Sequence, residues 1–125
     1  MIDHIGFSVS DIERSKAFYV KALAPLGYTL LREYLPHAVG FGAAQKPDFW
    51  IGASPGKVGS TVHIAILAET RGIVRAFYDA ALAAGGRDNG PPGVREMYHP
   101  HYYGAFVLDP DGHNIEAVCH LPYLG

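Results

Sequence analysis

The apolar and polar residues in the first half of the chain follow two different periods. From Ile2 to Val9, apolar residues alternate with polar or small ones, which predicts a β-strand with two distinct faces. Ser10-Asp11-Ile12-Glu13 then fits a capping box, and apolar residues at helical spacing continue to Gly27, a residue type that commonly ends helices. Short apolar runs predict three further strands, at Thr29–Tyr34, Ala38–Ala43 and Phe49–Ala53.

The same order of elements is predicted a second time after residue 60. A strand at Thr61–Ala68 and a helix at about Arg71–Ala84 precede a loop rich in glycine and proline at Gly85–Gly93. Two more strands, near Tyr103–Leu108 and Asn114–Cys119, flank a turn whose residue types suit a tight reversal.

The amino-acid sequence itself also repeats. His63-Ile64 lies 59 residues after His4-Ile5. The same offset relates three further pairs of segments, which are Phe18-Tyr19 with Phe77-Tyr78, Ala22-Leu23-Ala24 with Ala81-Leu82-Ala83, and Gly27 with Gly86. A constant offset indicates two copies of one supersecondary unit. Because paired copies bring equivalent residues together, the two histidines could face each other across a cleft.

The length of the chain limits how independent the two copies can be. Each half is too small to bury a core alone, so we expect a single domain over residues 1–125. Within it we place module one at residues 1–53, a linker at 54–60 and module two at 61–125. The linker contains proline and glycine residues that suit a flexible connection.

Composition excludes several classes of function. The net charge of −2 gives no electrostatic basis for binding nucleic acid or an anionic membrane. The single cysteine, Cys119, cannot form an intrachain disulfide and suits a reducing compartment. The chain shows neither a signal peptide nor an apolar run long enough to span a bilayer. We therefore expect a cytoplasmic protein whose partner is a small molecule rather than nucleic acid or a membrane.

Three residues with metal-binding side chains are predicted to share one face of the fold. His4 and His63 lie opposite the apolar residues of their strands, so both imidazoles point away from the helices. Glu116 projects from an otherwise apolar strand, where a charge is costly unless it is paired or binds a metal. Two histidines and a carboxylate match the facial set that binds a divalent metal and leaves positions open. Glu116 could instead pair with an arginine such as Arg32 or Arg95.

These motifs together resemble the vicinal oxygen chelate superfamily, which includes glyoxalase I, bleomycin and fosfomycin resistance proteins, and extradiol dioxygenases. The resemblance covers essentially the whole chain, and its most specific motif is the segment from Leu108 to Glu116. It implies an α+β fold in which two βαβββ modules form a cup-shaped mixed β-sheet. It also implies one divalent metal ion, of unresolved identity among Zn, Ni, Mn and Fe, held by His4, His63 and Glu116.

One position departs from the glyoxalase I branch of that superfamily. Alignment of the two modules puts Trp50 at the place of Glu116, where glyoxalase I has a second glutamate. The three-ligand set is more similar to fosfomycin-modifying enzymes and extradiol dioxygenases. However, Gly6 and Phe106 stand where the fosfomycin branch has a polar residue and a tyrosine. The reaction therefore stays open among lyase or isomerase, thiol transferase and dioxygenase chemistry.

Further candidate residues lie in and near a loop before the strand at 103–108. We predict catalytic roles for His99, His101 and Tyr103, because rigid strands can hold the side chains of such a loop over the metal. We predict that Trp50, Tyr102 and Phe106 bind the substrate, with Trp50 as a packing wall of the cup rather than a catalytic group. We expect His113, in the turn before the last strand, to be exposed to solvent.

Two classes of function remain after this reasoning. The first is a metal-dependent enzyme, and the second is a metal-free binding protein of the bleomycin-resistance kind. We also expect a homodimer, because the modules must bury an open sheet edge. If the modules exchange between chains, His4 would come from one chain, and His63 and Glu116 from the other.

Overall fold

The computed structural model describes residues 1–123. Module one contains four strands and two helical segments, in the predicted order. They are β1 (Ile5–Val9), α1 (Ile12–Ala22), a 3-10 turn (Ala24–Leu26), β2 (Thr29–Tyr34), β3 (Ala38–Ala43) and β4 (Lys46–Ala53). Module two repeats this order without the 3-10 turn. Its elements are β5 (His63–Leu67), α2 (Arg71–Ala83), β6 (Arg87–Val94), β7 (Tyr103–Leu108) and β8 (Asn114–Cys119).

The strands form two separate four-stranded mixed sheets with the same topology. Their strand orders are β1-β4-β3-β2 and β5-β8-β7-β6. In each sheet the first strand pairs in parallel with the last, and the other neighbours are antiparallel. Gly6 lies opposite Trp50 in the first sheet, and Ala65 lies opposite Glu116 in the second. This register confirms the α+β fold of two βαβββ modules, and confirms that Trp50 occupies the place of Glu116.

Two local predictions are wrong. The predicted loop at Gly85–Gly93 is largely strand β6, an edge strand whose register shifts around Gly90. An edge strand tolerates Pro91 and Pro92, because only one side of it pairs with a neighbouring strand. The predicted capping box does not form either, because Asp11 caps α1 by accepting a hydrogen bond from the Arg14 amide at 3.1 Å.

The apolar residues of both modules join in one core. The helices α1 and α2 contact each other, and each covers the inward face of its sheet. Aromatic rings fill the module-one part, where Phe7 meets the edges of Tyr19 and Phe49 at centroid distances of 6.1 and 5.4 Å. The sheets therefore have one face closed by helices, and the opposite faces carry the candidate site residues. None of the helices within residues 1–123 is long and apolar enough to cross a membrane.

A polar turn of module two is inserted against module one. His113 is only 1% exposed. Its Nδ1 accepts a hydrogen bond from the Val62 amide at 3.0 Å, and its Nε2 donates to the Ser8 carbonyl at 2.8 Å. The expectation that His113 is exposed is therefore wrong, because both ring nitrogens are needed to satisfy backbone groups of the two modules.

Two aspartates of the same turn add further bonds to module one. The Tyr19 hydroxyl donates to Asp109 at 2.5 Å, and burial with this carboxylate beside it raises the pKa of Tyr19 well above its usual value. Ser10 donates both its amide, at 3.0 Å, and its hydroxyl to Asp111. We call the turn 109–113 with these partners the intermodule clasp.

The intermodule clasp leads to a prediction about stability. We expect His113→Ala to lower the free energy of unfolding by about 1–3 kcal/mol, because it leaves buried backbone groups without partners. Urea unfolding at neutral pH measures this. The exposed His37 provides the control, since His37→Ala removes an imidazole of the same size. Equal stability of the two variants would contradict the role given to the clasp.

Candidate metal and substrate site

The sheet faces that α1 and α2 leave uncovered carry the residues predicted to bind metal and substrate. We call them open face one, around His4, Gly6 and Trp50, and open face two, around Glu116 and Phe106, which lie opposite each other in neighbouring strands. Residues that alternate with these along the strands belong to the core. Strand alternation thus separates the site residues from the packing residues.

On open face two, His63 and Glu116 form a close pair. The His63 Nε2 atom lies 3.1 Å from Glu116 Oε1, and its Nδ1 atom lies 3.1 Å from the carbonyl oxygen of Asn114. Since a carbonyl only accepts, Nδ1 must carry a proton and donate it. Nε2 then faces a carboxylate oxygen, an arrangement that is favourable only with a proton or a metal ion between the two atoms. Backbone-oriented imidazoles of this kind are typical metal ligands.

The second carboxylate oxygen of Glu116 is bound by Tyr102. Glu116 is 1% exposed, and its Oε2 atom accepts a hydrogen bond from the Tyr102 hydroxyl. Desolvation is the larger cause, and together with this hydrogen bond it raises the pKa of Tyr102 well above its usual value. The phenol therefore keeps its proton at neutral pH. Gly104 allows the close approach, because a Cβ there would lie 3.1 Å from Oε2 and 3.2 Å from the Tyr102 ring.

Tyr103 lies on the other side of the sheet. Its hydroxyl accepts a hydrogen bond from Arg75 at 3.3 Å, and the Arg71 guanidinium lies 4.9 Å from its ring centroid. Sequence analysis gave the catalytic role to Tyr103 and a substrate-binding role to Tyr102, whereas Tyr102 is the tyrosine that reaches Glu116. The signal was available, since Tyr102 alternates with Gly104 and Phe106 on the same face.

The two predicted catalytic histidines differ in their surroundings. His99 contacts His120 through Nε2 and Nδ1 at 2.8 Å, and its ring lies 5.5 Å from that of Tyr102. The backbone amide of His101 donates to His99 Nδ1 at 3.0 Å, while the His101 residue itself is exposed. His99 is therefore connected to Glu116 through Tyr102, which contacts both residues. The backbone amide of His101 orients the His99 imidazole.

Arg95 lies beside open face two, although the sequence suggested it only as a partner of Glu116. Its guanidinium instead donates to the carbonyls of Gly93 and Pro91, at 2.9 and 2.7 Å, and lies 5.4 Å from the Phe106 centroid. Among residues 1–123, no carboxylate lies within 4 Å of it. An unneutralised positive charge thus borders open face two. Arg32, the other suggested partner, donates to the carbonyl of Leu31.

Open face one is an aromatic surface beside His4. A pocket of about 570 Å³ lies against His4 and Trp50. The Trp50 ring stacks on Tyr34 with an interplanar angle of 3° and a centroid distance of 6.0 Å. His4 Nδ1 lies 2.8 Å from Asp3, whose other oxygen accepts from Lys46 at 2.7 Å. Both hydrogen bonds lower the pKa of Asp3 below its usual value, and the bond from Lys46 has the larger effect.

The three predicted ligands are not gathered in one place by a single chain. Within residues 1–123, no group of three histidine, cysteine, aspartate or glutamate side chains is arranged to hold a metal ion. His63 and Glu116 meet on open face two, whereas His4 stays with Asp3 on open face one. Within residues 1–123, His4 and the His63–Glu116 pair therefore belong to two separate clusters, each beside an aromatic side chain.

This fold and site define a class of proteins built from paired βαβββ modules. The family model of the Glyoxalase/Bleomycin resistance protein/Dioxygenase superfamily matches residues 1–117, and the chain belongs to this superfamily. No curated protein matches the chain.

Solved structures agree with the family assignment. A glyoxalase/bleomycin resistance protein from Albidiferax ferrireducens is 26% identical, with a TM-score of 0.76 over 95% of this chain and 98% of that chain. A glyoxalase I mutant from Zea mays is 24% identical, with a TM-score of 0.71 over 94% of this chain and 46% of that chain. A lactoylglutathione lyase from Agrobacterium tumefaciens, 14% identical, has a TM-score of 0.70 over 95% of this chain and 92% of that chain. Because the last two proteins are less than 25% identical to this chain, their similarity concerns the fold alone.

The aromatic surface of open face one gives a second prediction. A Cβ at Gly40 would lie 2.9 Å from three ring atoms of Trp50. We expect Gly40→Ala to displace the indole from its stack on Tyr34 and shift its emission to longer wavelength. Because Trp50 is the single tryptophan, the intrinsic fluorescence spectrum measures this face. Gly59→Ala is the control, since no atom lies within 4 Å of its Cβ position. Identical spectra for the two variants would contradict the prediction.

Proposed function

We propose that this protein is a divalent-metal-dependent enzyme that acts on a small molecule with two adjacent oxygen atoms. His63 and Glu116 are proposed to hold the metal together with His4 from a second copy of the chain. The observation that supports this most directly is the approach of His63 Nε2 to Glu116 Oε1, at 3.1 Å, with Nδ1 held by a backbone carbonyl. A buried carboxylate and a nitrogen lone pair meet favourably around a cation.

The contribution of a second chain is proposed because His4 is separated from the other two ligands. Both first strands, β1 and β5, are edge strands of their sheets. Apolar side chains beside them are exposed, with 79% of Ile2 and 67% of Leu67 accessible to solvent. A homodimer that brings open face one of one chain against open face two of its partner would cover this surface and make two equivalent sites. Each site would then combine module one, residues 1–53, of one chain with module two, residues 61–125, of its partner.

In such a site, a bound divalent ion would act as a Lewis acid toward two neighbouring oxygens of the substrate. Arg95 attracts a substrate with a negative charge, because its own charge lacks a carboxylate partner nearby among residues 1–123. Tyr102 holds a proton next to Glu116 and can give it to a substrate oxygen. His99, with its ring 5.5 Å from that of Tyr102, is the proposed second proton carrier. Trp50 and Phe106 are proposed as the apolar walls.

A metal-free binding protein is the second candidate. It is supported by the stack of Trp50 on Tyr34, a flat aromatic surface beside a pocket of about 570 Å³. A planar aromatic ligand could bind there by stacking alone. Titration of such ligands against Trp50 fluorescence in a chelator separates the candidates. Tight binding without metal, combined with no turnover of any substrate after metal loading, would favour the binding protein.

The metal site can be tested by mixing two defective variants. We expect His4→Ala and Glu116→Ala each to abolish tight binding of a divalent metal, because each removes one of three ligands, while His37→Ala retains it. If the sites are shared between chains, unfolding and refolding the two defective variants together produces mixed dimers. Each mixed dimer contains one site with both defects and one intact site, so about one site in four should recover. Metal content after dialysis measures both results.

Recovery close to zero in the mixture, with both single variants folded, would show that one chain supplies all three ligands. Stoichiometric metal binding by both single variants would contradict the ligand assignment itself. Sedimentation at micromolar concentration provides an independent measure, because a protein that is only monomeric has no second chain to share a site with.

The two neighbouring tyrosines give a matched test of the proton carrier. A screen with metal-loaded protein would use 2-oxoaldehyde–thiol adducts, catechols and epoxides as substrates. On any substrate found, we expect Tyr102→Phe to lower turnover by about 10²–10⁴ while metal binding persists. Tyr103→Phe should leave turnover close to wild type, because Tyr103 lies on the opposite side of the sheet. The reverse result would return the catalytic role to Tyr103.

A further inference from the structure

A second cavity lies on the other side of module two from Glu116. Its volume is about 290 Å³, and it opens beside the start of α2 between the helix and the segment that follows β8. Arg71, Arg75 and Tyr123 line it, and Glu69 is the single acidic residue among the described residues of its lining. Tyr103, which the proposed reaction does not use, contacts both arginines. The cavity is thus separate from both open faces.

Two tyrosine rings clamp the guanidinium of Arg71. Its central carbon lies 4.9 Å from the ring centroid of Tyr103 and 5.2 Å from that of Tyr123. A guanidinium beside aromatic rings is held by cation–π attraction and can still donate hydrogen bonds in its own plane. Both rings therefore help to hold the Arg71 guanidinium at the cavity.

One of these donors has no acceptor within the described residues. The Nε atom of Arg71 is inaccessible to solvent and makes no hydrogen bond. Buried donors are normally satisfied by protein, by water or by a bound group, so an unsatisfied one in a cavity wall indicates a missing acceptor. An oxyanion supplies such acceptors to a guanidinium in a planar, charge-assisted geometry.

Arg75 adds a second positive charge to the same place. It donates to the Tyr103 hydroxyl at 3.3 Å, and within residues 1–123 neither arginine has a carboxylate within 4 Å. The first turn of α2 also carries no acidic residue. Among residues 1–123, the charges of Arg71 and Arg75 thus have no carboxylate to neutralise them.

Comparison of the two modules shows that the fold does not require this cluster. At the offset of 59 residues, Ile12 and Lys16 of module one stand in the places of Arg71 and Arg75. Lys16 is paired with Glu33 at 2.6 Å, whereas Arg75 has no such partner among the described residues. At these two positions, module one thus builds the equivalent helix with one charge, which is neutralised. The arginine pair needs an explanation other than folding.

We propose that the cavity binds a small organic oxyanion, a phosphate monoester or a carboxylate, between Arg71 and Arg75. The Arg71 guanidinium donates to the anion through its terminal N–H groups, and Arg75 neutralises the remaining charge of the anion. Tyr123 contacts the apolar part of the ligand. The negative charge of Glu69 opposes binding, so the affinity for the anion depends on the charge at this residue.

The experiment is a calorimetric titration at low salt with inorganic phosphate, phenyl phosphate and benzoate. We expect Arg71→Gln and Arg75→Gln each to weaken binding of the preferred probe about tenfold or more, the effect of losing a charge-assisted bond. Glu69→Gln should tighten it, because it removes a negative charge from the wall. Arg87→Gln is the matched control, because it removes an exposed arginine at the start of β6. Comparing the affinities for phenyl phosphate and benzoate shows whether the cavity prefers a phosphate or a carboxylate. Comparing phenyl phosphate with inorganic phosphate shows how much the apolar part of the ligand adds to the affinity.

The same titration with Glu116→Ala separates this cavity from the metal site, and its affinity should equal that of the wild type. Melting curves identify any variant that fails to fold, and Arg75→Gln and Glu69→Gln still test the proposal if Arg71→Gln does not fold. The proposal is overturned if no probe binds at millimolar concentration. It is also overturned if Arg75→Gln and Arg87→Gln bind equally, or if Glu69→Gln weakens binding.

Discussion

The intermodule clasp is the interaction on which the arrangement of this protein depends. His113 and Asp109 are each 1% exposed, and their partners include Ser8 and Tyr19 of module one. A buried polar group is tolerated only while it is hydrogen-bonded. The modules therefore cannot move apart without leaving the polar atoms of residues 109–113 unsatisfied. Although the linker offers freedom, the clasp removes it and fixes the directions of both open faces.

Fixing the modules in this way has a functional consequence. The register of the sheets places Trp50 and Glu116 at equivalent positions, so duplication gave the chain two related surfaces. One became aromatic, with Trp50 stacked on Tyr34, and the other kept a carboxylate beside an imidazole. A face that offers stacking and a face that offers metal ligands have complementary chemistry.

Glu116 gives open face two its chemical character. A carboxylate that is 1% exposed must be compensated, and His63 and Tyr102 each approach one of its oxygens. Gly104 contributes by lacking a side chain, since a Cβ there would crowd both the carboxylate and the phenol. The local structure thus concentrates a carboxylate, a phenolic hydroxyl and an imidazole within a few ångströms. Such a grouping is typical of functional sites.

The sequence by itself determined every element except β6, the repeat of the module and the equivalence of Trp50 with Glu116, because alternation and spacing are local properties. Only the tertiary structure decided that Ser10 binds Asp111 instead of capping α1, and that His113 is buried. Those partners lie about a hundred residues apart in sequence, so no local pattern encodes them. The separation of His4 from Glu116 is of the same kind, since it depends on how two finished modules pack.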